Sequence, residues 1–294
     1  MQQYRVIATL MLAATLTGCH KADTTPAVAT VTVTPAKPRV ASGAPIDLTY
    51  KFDVAPGAAA ITRDYRVFVH VLAADGQTLW NDDHDPAIPT SRWKPGQSVQ
   101  YTRTTFVPAG LHADSGTIEV GLYRDGDRLP LQGPDAPGRD GSGRAYRVGT
   151  LQLGPESDNV FLIYKSGWYP QEFSTGDPPV TWFWTQKSAV LAFKNPHAEA
   201  TLFIEAGARP DLFPGQPQQV TVSVGGQPVG TFAADSLDPV LHRVAIPAAA
   251  LGAGDMAEVR LDVDRTFRPT SAGGAGKDER DLGIQVYHLF IDGR

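Results

Sequence analysis

Trp168-Tyr169 and Trp182-Phe183-Trp184 are two aromatic groups close together in the chain. Sugar rings present apolar C–H faces that pack on indole and phenol rings, and Tyr and Trp add a polar edge. Two charged segments, Arg209-Pro210-Asp211 and Asp278-Glu279-Arg280, supply guanidinium donors and carboxylate acceptors able to grip hydroxyls by directed hydrogen bonds. Trp168, Tyr169, Trp182, Trp184, Arg209, Asp211, Asp278 and Arg280 therefore form the candidate ligand-binding set. A plainer reading stands beside it. The tryptophans can fill a core, and the Arg/Asp pairs can be salt bridges that pin a loop.

Other chemistries find less support. The histidines are scattered (His20, His70, His84, His112, His197, His242 and His288), without the close spacing of zinc ligands. Asp82-Asp83-His84-Asp85-Pro86 is the densest acidic run. Asp82, Asp83 and Asp85 could offer oxygens to calcium, or they could bond nearby backbone amides in a polar turn. No G-x-S-x-G nucleophile motif occurs, and Asp140-Gly141-Ser142-Gly143-Arg144 reads as a flexible hairpin tip. Glu119 or Glu205 could serve a glycosidase only with a second carboxyl about 5–10 Å away across a cleft. No cofactor is expected.

The elements that must position these residues are short strands. Alternation of apolar and polar residues predicts strands near 28–34, 46–54, 65–73, 77–81, 98–107, 117–123, 128–131 and 145–153. In 65–73, Val67, Val69 and Val71 alternate with Phe68, His70 and Leu72, so both faces are apolar and the strand belongs inside a sheet. After Gly154-Pro155-Glu156-Ser157-Asp158 the style repeats, with strands near 160–164, 180–184, 189–193, 201–205, 219–224, 229–232, 241–246, 258–263 and 284–291. If 180–184 is a strand, Trp182 and Trp184 share one face and Phe183 takes the other. Segment 246–252 makes at most one helical turn, and 268–281 is a long Gly/Pro-rich loop of the kind that carries function. The fold class is all-β, with two tandem β-sandwiches: an Ig-like one over 28–153 and a jelly roll over 159–294.

Composition sets the broad class. Hydrophobic residues make up 42% and charged residues 19% of the 294-residue chain, and the net charge is −5. That is a globular balance without the basic surface that nucleic acid requires. At the N-terminus Arg5 precedes an apolar run from Val6 to Leu16, too short to span a bilayer and of the length of a secretory signal. The run ends in Leu16-Thr17-Gly18-Cys19, which resembles the bacterial lipobox. The resemblance implies that residues 1–18 are a signal peptide and that Cys19, the only cysteine, carries lipid. Residues 19–27 then form a tether, and several acyl chains hold the protein to the membrane. His20 rather than Asp after the cysteine leans toward the outer membrane if the cell has one.

Two longer stretches also have a familiar cast. Residues 66–72, Asp75-Gly76, 82–86, Trp93-Lys94-Pro95-Gly96, Val120-Gly121-Leu122-Tyr123 and Arg128-Leu129-Pro130 resemble an Ig-like module of bacterial envelope proteins, including the tails of some membrane glycosyltransferases. Phe267-Arg268-Pro269, 278–283 and 284–290 resemble the closing segment of jelly-roll, galactose-binding-like accessory domains that accompany polysaccharide-related enzymes. The expectation is a lipid-anchored, non-catalytic protein of the cell envelope that binds glycan or acts as a scaffold. A structural lipoprotein docking other envelope proteins is the alternative, with a polysaccharide-acting enzyme ranked behind both.

Overall fold

The computed structural model describes residues 25–133, 144–176, 179–270 and 277–293. Cys19 and the loop tip 140–143 lie outside the described residues, as does the middle of the 268–281 loop. No helix among the described residues is long and apolar enough to cross a membrane. The chain is an all-β protein of two sandwiches.

The first sandwich contains β1 (Ala29–Pro35), β2 (Arg39–Ala41), β3 (Pro45–Val54), β4 (Arg66–Leu72), β5 (Thr78–Asn81), β6 (Ser98–Phe106), β7 (Ser115–Arg124), β8 (Asp127–Leu129), β9 (Leu131–Gln132) and β10 (Tyr146–Gly154). One sheet runs β6-β3-β1-β9, and the other runs β2-β10-β7-β4-β5 with β8 paired to β7. The period-two pattern explains the layers. In β3, Ile46, Leu48, Tyr50, Phe52 and Val54 enter the core while the residues between them face outward. In β4, Val67, Val69 and Val71 join the same core. Phe68 is buried on the opposite face, with the Arg128 guanidinium 4.6 Å from its ring centre. The single strand expected over 128–131 is two. Pro130, which has no N–H for a ladder, separates β8 from β9. Past it the chain changes sheets: β8 pairs with β7 and β9 runs parallel to β1.

The acidic run at 82–86 serves this sandwich. Asp82 turns inward, takes two hydrogen bonds from Arg103 (2.9 and 3.3 Å) and one from the Tyr50 hydroxyl at 3.3 Å. His84 is buried. Its Nδ1 lies 2.7 Å from the Asp82 carbonyl and its Nε2 lies 2.8 Å from the Tyr101 hydroxyl. The carbonyl can only accept, so the neutral Nδ1–H tautomer fits, with Tyr101 donating to Nε2. Burial pushes the His84 pKa below its ordinary value. The unfolded chain then binds a proton more readily than the folded one, so this contribution is full above about pH 6.5 and is lost as pH falls below that. Denaturant unfolding between pH 7.5 and 5 should show the loss, and His84→Gln should flatten the profile over that interval. An unchanged slope in the variant would contradict it.

The second sandwich contains β11 (Leu162–Tyr164), β12 (Glu172–Phe173), β13 (Thr181–Trp184), β14 (Ser188–Lys194), β15 (Ala200–Gly207), β16 (Gln218–Val224), β17 (Gln227–Ala234), β18 (Val240–Ile246), the single-turn α1 (Ala248–Leu251), β19 (Met256–Val263) and β20 (Gln285–Gly293). Its sheets are β11-β14-β19-β16-β17 and β12-β13-β20-β15-β18, paired antiparallel. From β13 to β16 successive strands alternate between the sheets, as they do again from β17 to β20, which gives a jelly-roll path. β19 shows the driving pattern: Val259, Leu261 and Val263 are buried and alternate with Glu258, Arg260 and Asp262.

The outer face of the β20-β15-β18 sheet meets the first sandwich. His288 stacks on Phe106 with ring centres 4.7 Å apart, and Phe290 packs against the first core. Arg243 bonds Asp47 at 3.1 Å and also reaches Thr104. Lys37 pairs with Asp292 at 3.1 Å.

Candidate functional site

A small apolar cluster, separate from the two main cores, forms at one end of the second sandwich. Trp184, Phe267 and Leu282 are its buried members, and Tyr169, Trp182, Leu212 and Phe213 pack around them. β13 positions the tryptophans. Phe183 pairs across from Val286, and Trp184 across from Gln285. Val286 is in the core, so Phe183 faces inward and Trp182 and Trp184 face outward together. Trp184 is 8% exposed and meets Phe267 edge-on at 5.6 Å. Trp182 is partly buried, with its ring 6.1 Å from that of Tyr287. Its indole N–H is shielded from water and has no acceptor among the described residues.

Trp168 has a different task. Its Nε1 donates to the Val190 carbonyl at 2.8 Å, and its ring packs edge-on against Tyr164 at 4.9 Å. It thereby locks the turn into β14. Tyr169 follows directly, its N–H donating to the Trp184 carbonyl at 2.9 Å and its hydroxyl to the Asp281 carbonyl at 3.1 Å. Of the three tryptophans, Trp184 fills the small core, Trp168 is tied to the backbone, and Trp182 borders the surface. None of them is an exposed stacking plate.

The charged residues assemble beside these rings. The Arg280 guanidinium lies 5.0 Å from the Tyr169 ring centre. It is held between Asp278 at 2.7 Å and Glu172 at 2.8 Å. Arg209 binds Asp211 through two bonds of 2.9 and 2.7 Å and lies 5.8 Å from the Phe267 ring centre. Arg268 pairs with Asp281 at 2.7 Å. The hydrogen bond from Arg280 holds the Asp278 carboxyl below the usual range, and Arg209 and Arg268 do the same for Asp211 and Asp281. A glycosidase acid needs the opposite shift, so these three carboxyls are poorly suited to donate a proton. Their free lone pairs can still accept hydrogen bonds from hydroxyls.

All eight residues of the candidate set thus lie in or beside one end of the second sandwich. Glu172, Phe267, Leu282 and Tyr287 complete it and were not in the set. Glu172 sits on a two-residue strand with no periodicity to mark it, opposite Trp182. Phe267 and Leu282 meet through a bridge that closes the long loop, a pairing invisible to local patterns.

Buried polar groups hold the loop. Thr185 Oγ1 accepts from the Ile284 N–H at 3.0 Å, and Gln218 Nε2 donates to the Arg265 and Gly283 carbonyls at 2.8 and 3.1 Å. Thr185→Val keeps the shape but leaves the Ile284 N–H without its side-chain acceptor. We expect a loss of about 1–2 kcal/mol in denaturant unfolding.

The acidic run gives no shared ion site. Asp82 points to Arg103, Asp83 accepts from the Val69 N–H at 2.9 Å, and Asp85 is exposed beside Arg66 at 3.3 Å. Backbone and guanidinium partners pull the three carboxylates apart. Among the described residues no group of three or more His, Cys, Asp or Glu is arranged to hold a metal. Glu119 and Glu205 stand on β7 and β15, in different sandwiches.

No family model and no curated protein matches the chain. Solved structures with partial likeness include carbohydrate-binding modules and a glycoside hydrolase. The CBM36-1 domain of a multidomain xylanase from the hindgut metagenome of Trinervitermes trinervoides is 14% identical, with a TM-score of 0.28, over 46% of this chain and 98% of that one. The CBM51-2 and INT domains of Clostridium perfringens ZmpB are 11% identical, with a TM-score of 0.25, over 60% and 37%. A family 43 arabinoxylan arabinofuranohydrolase from Bacillus subtilis is 12% identical, with a TM-score of 0.28, over 84% and 52%. Likeness at this level carries no argument about ligand.

Proposed function

We propose that the second sandwich binds glycan through the Tyr169–Trp182–Arg280 end and that the chain is a non-catalytic lipoprotein of the cell envelope, anchored through Cys19. The observation that carries the glycan reading is the Arg280 arrangement. One guanidinium lies over Tyr169 and is fixed by Asp278 and Glu172, and all three charged side chains remain about one-third exposed. Fixed planar acceptors next to an aromatic surface suit a sugar, whose hydroxyls donate to carboxylates while its C–H face packs on the ring. The test is retention of protein lacking residues 1–24 on two fractions of the source envelope, polysaccharide and membrane protein. Saturable retention by polysaccharide supports the reading, and retention by protein alone overturns it. Metabolic labelling with palmitate, lost in Cys19→Ala, tests the anchor.

A specific feature favours the alternative of docking to another envelope protein. β11 is an edge strand, and Phe161, Ile163 and Tyr164 on or beside it are 70%, 40% and 40% exposed. An apolar edge offers unpaired backbone groups to a partner strand.

A further inference from the structure

The first sandwich carries a second polar groove, on the outer face of the β10-β7-β4-β5 sheet. Its floor is one row across the strands. His70 on β4 pairs with Glu119 on β7, and Glu119 pairs with Arg147 on β10. Thr117, Thr78 and Asp75 form the walls of a cavity of about 490 Å³, within the range of small-ligand sites.

Glu119 is 6% exposed, yet among the described residues no group within hydrogen-bond distance donates to its carboxylate. Its nearest cation is Arg147, whose Nε lies 3.8 Å away, too far for a direct bond. That same Nε is buried and has no acceptor among the described residues. At the bottom of the groove the largely buried Glu119 side chain therefore faces a guanidinium, 40% exposed, that does not reach it. His70, 3.8 Å from Asp83, borders the row.

We propose that this groove is a binding site for a neutral polyhydroxylated ring, a sugar unit. One hydroxyl donates to Glu119 and accepts from an exposed N–H of the Arg147 guanidinium, whose side chain is 40% exposed, closing the gap between them. A hydroxyl is the smallest organic group that does both. A second hydroxyl reaches His70, Thr117 or Thr78. The Glu119 and Arg147 charges offset each other, and Asp75 on the wall adds a carboxylate acceptor for a ring hydroxyl. This site is on a different domain from the Tyr169–Trp182–Arg280 end and stands or falls independently of it.

The test is an NMR titration of the folded chain with glucose, galactose, mannose and, as a charged control, glucosamine. At least one neutral hexose should give saturable shifts at Thr117, Glu119 and Arg147, including the Arg147 Nε–H signal. Glu119→Gln should weaken binding roughly tenfold, and Thr78→Trp, on an exposed wall, should abolish it. Trp182→Ala should leave it unchanged. No saturable shift for any neutral sugar at about 50 mM, a weak-site concentration, overturns the proposal, because the pair is then bridged by water only. Shifts that survive Thr78→Trp, or that appear only with glucosamine, overturn it as well.

Discussion

Gly167→Ala should unfold the second sandwich far more readily than any surface substitution, by about 3 kcal/mol or more. Gly167 has φ +80°, and a Cβ there would lie 1.8 Å from the Ser188 carbonyl oxygen and 2.7 Å from the Ala189 Cα. Both contacts are with backbone, so no side chain can rotate away. A non-glycine residue also pays roughly 1 kcal/mol or more for the left-handed conformation. The position matters because the backbone on either side is bonded to its surroundings. Ser166 accepts from Val190 and Gly167 accepts from Gln186, each at 2.8 Å, while Trp168 and Tyr169 follow immediately. Relief of the clash must move the 166–169 segment away from β14 and carry the Tyr169 ring away from Arg280. Thermal unfolding should show the loss, and ligand affinity should fall even at temperatures where the variant is folded. A variant with unchanged stability would show that the turn is not packed as described.

Asp82→Ala should be the corresponding lesion in the first sandwich. Asp82 is 8% exposed in its side chain and bonds Arg103 as well as the buried Tyr50 hydroxyl. Its removal strands both partners. Arg103 is 39% exposed, so water recovers part of its charge and the cost is smaller than for a fully buried pair. The lost Tyr50 bond adds a buried unsatisfied hydroxyl. The sum is on the order of 3 kcal/mol, or roughly 10 °C in melting temperature for a sandwich of this size. Asp82→Asn keeps an acceptor for Tyr50 and should cost less. Equal losses for the two variants would contradict this division, and melting curves decide it.

Much of the fold was legible because its strands follow a strict period of two. β3 and β19 have one apolar and one polar face, and the shared orientation of Trp182 and Trp184 follows from their spacing of two residues on a strand. What escaped was set by contacts distant in sequence. Pro130 looked like part of one strand because local patterning does not reveal a change of sheet. β12 is too short for any pattern, so Glu172 was missed, although it is half of what fixes Arg280. For the charged pairs two roles were open, gripping a ligand or pinning a loop. Arg209–Asp211 and Arg280–Asp278 form the salt bridges of the second role, and whether they also serve the first is decided by binding. Nor could sequence distinguish the surface-bordering Trp182 from the buried Trp184, since both lie on the same face and the packing of Phe267 and Leu282 on Trp184 separates them. The His70–Glu119–Arg147 row was hidden for the same reason: it exists only once β4, β7 and β10 are placed side by side.

The most direct test of the account is a calorimetric titration of the soluble protein with the polysaccharide recovered from its own envelope, alongside Trp182→Ala and Arg280→Ala variants shown to be folded. Saturable binding is expected, weakened at least roughly tenfold by each substitution, the loss of one charge-assisted hydrogen bond or one ring contact. Binding that both variants retain at full strength would contradict it and move the glycan site away from this end of the second sandwich.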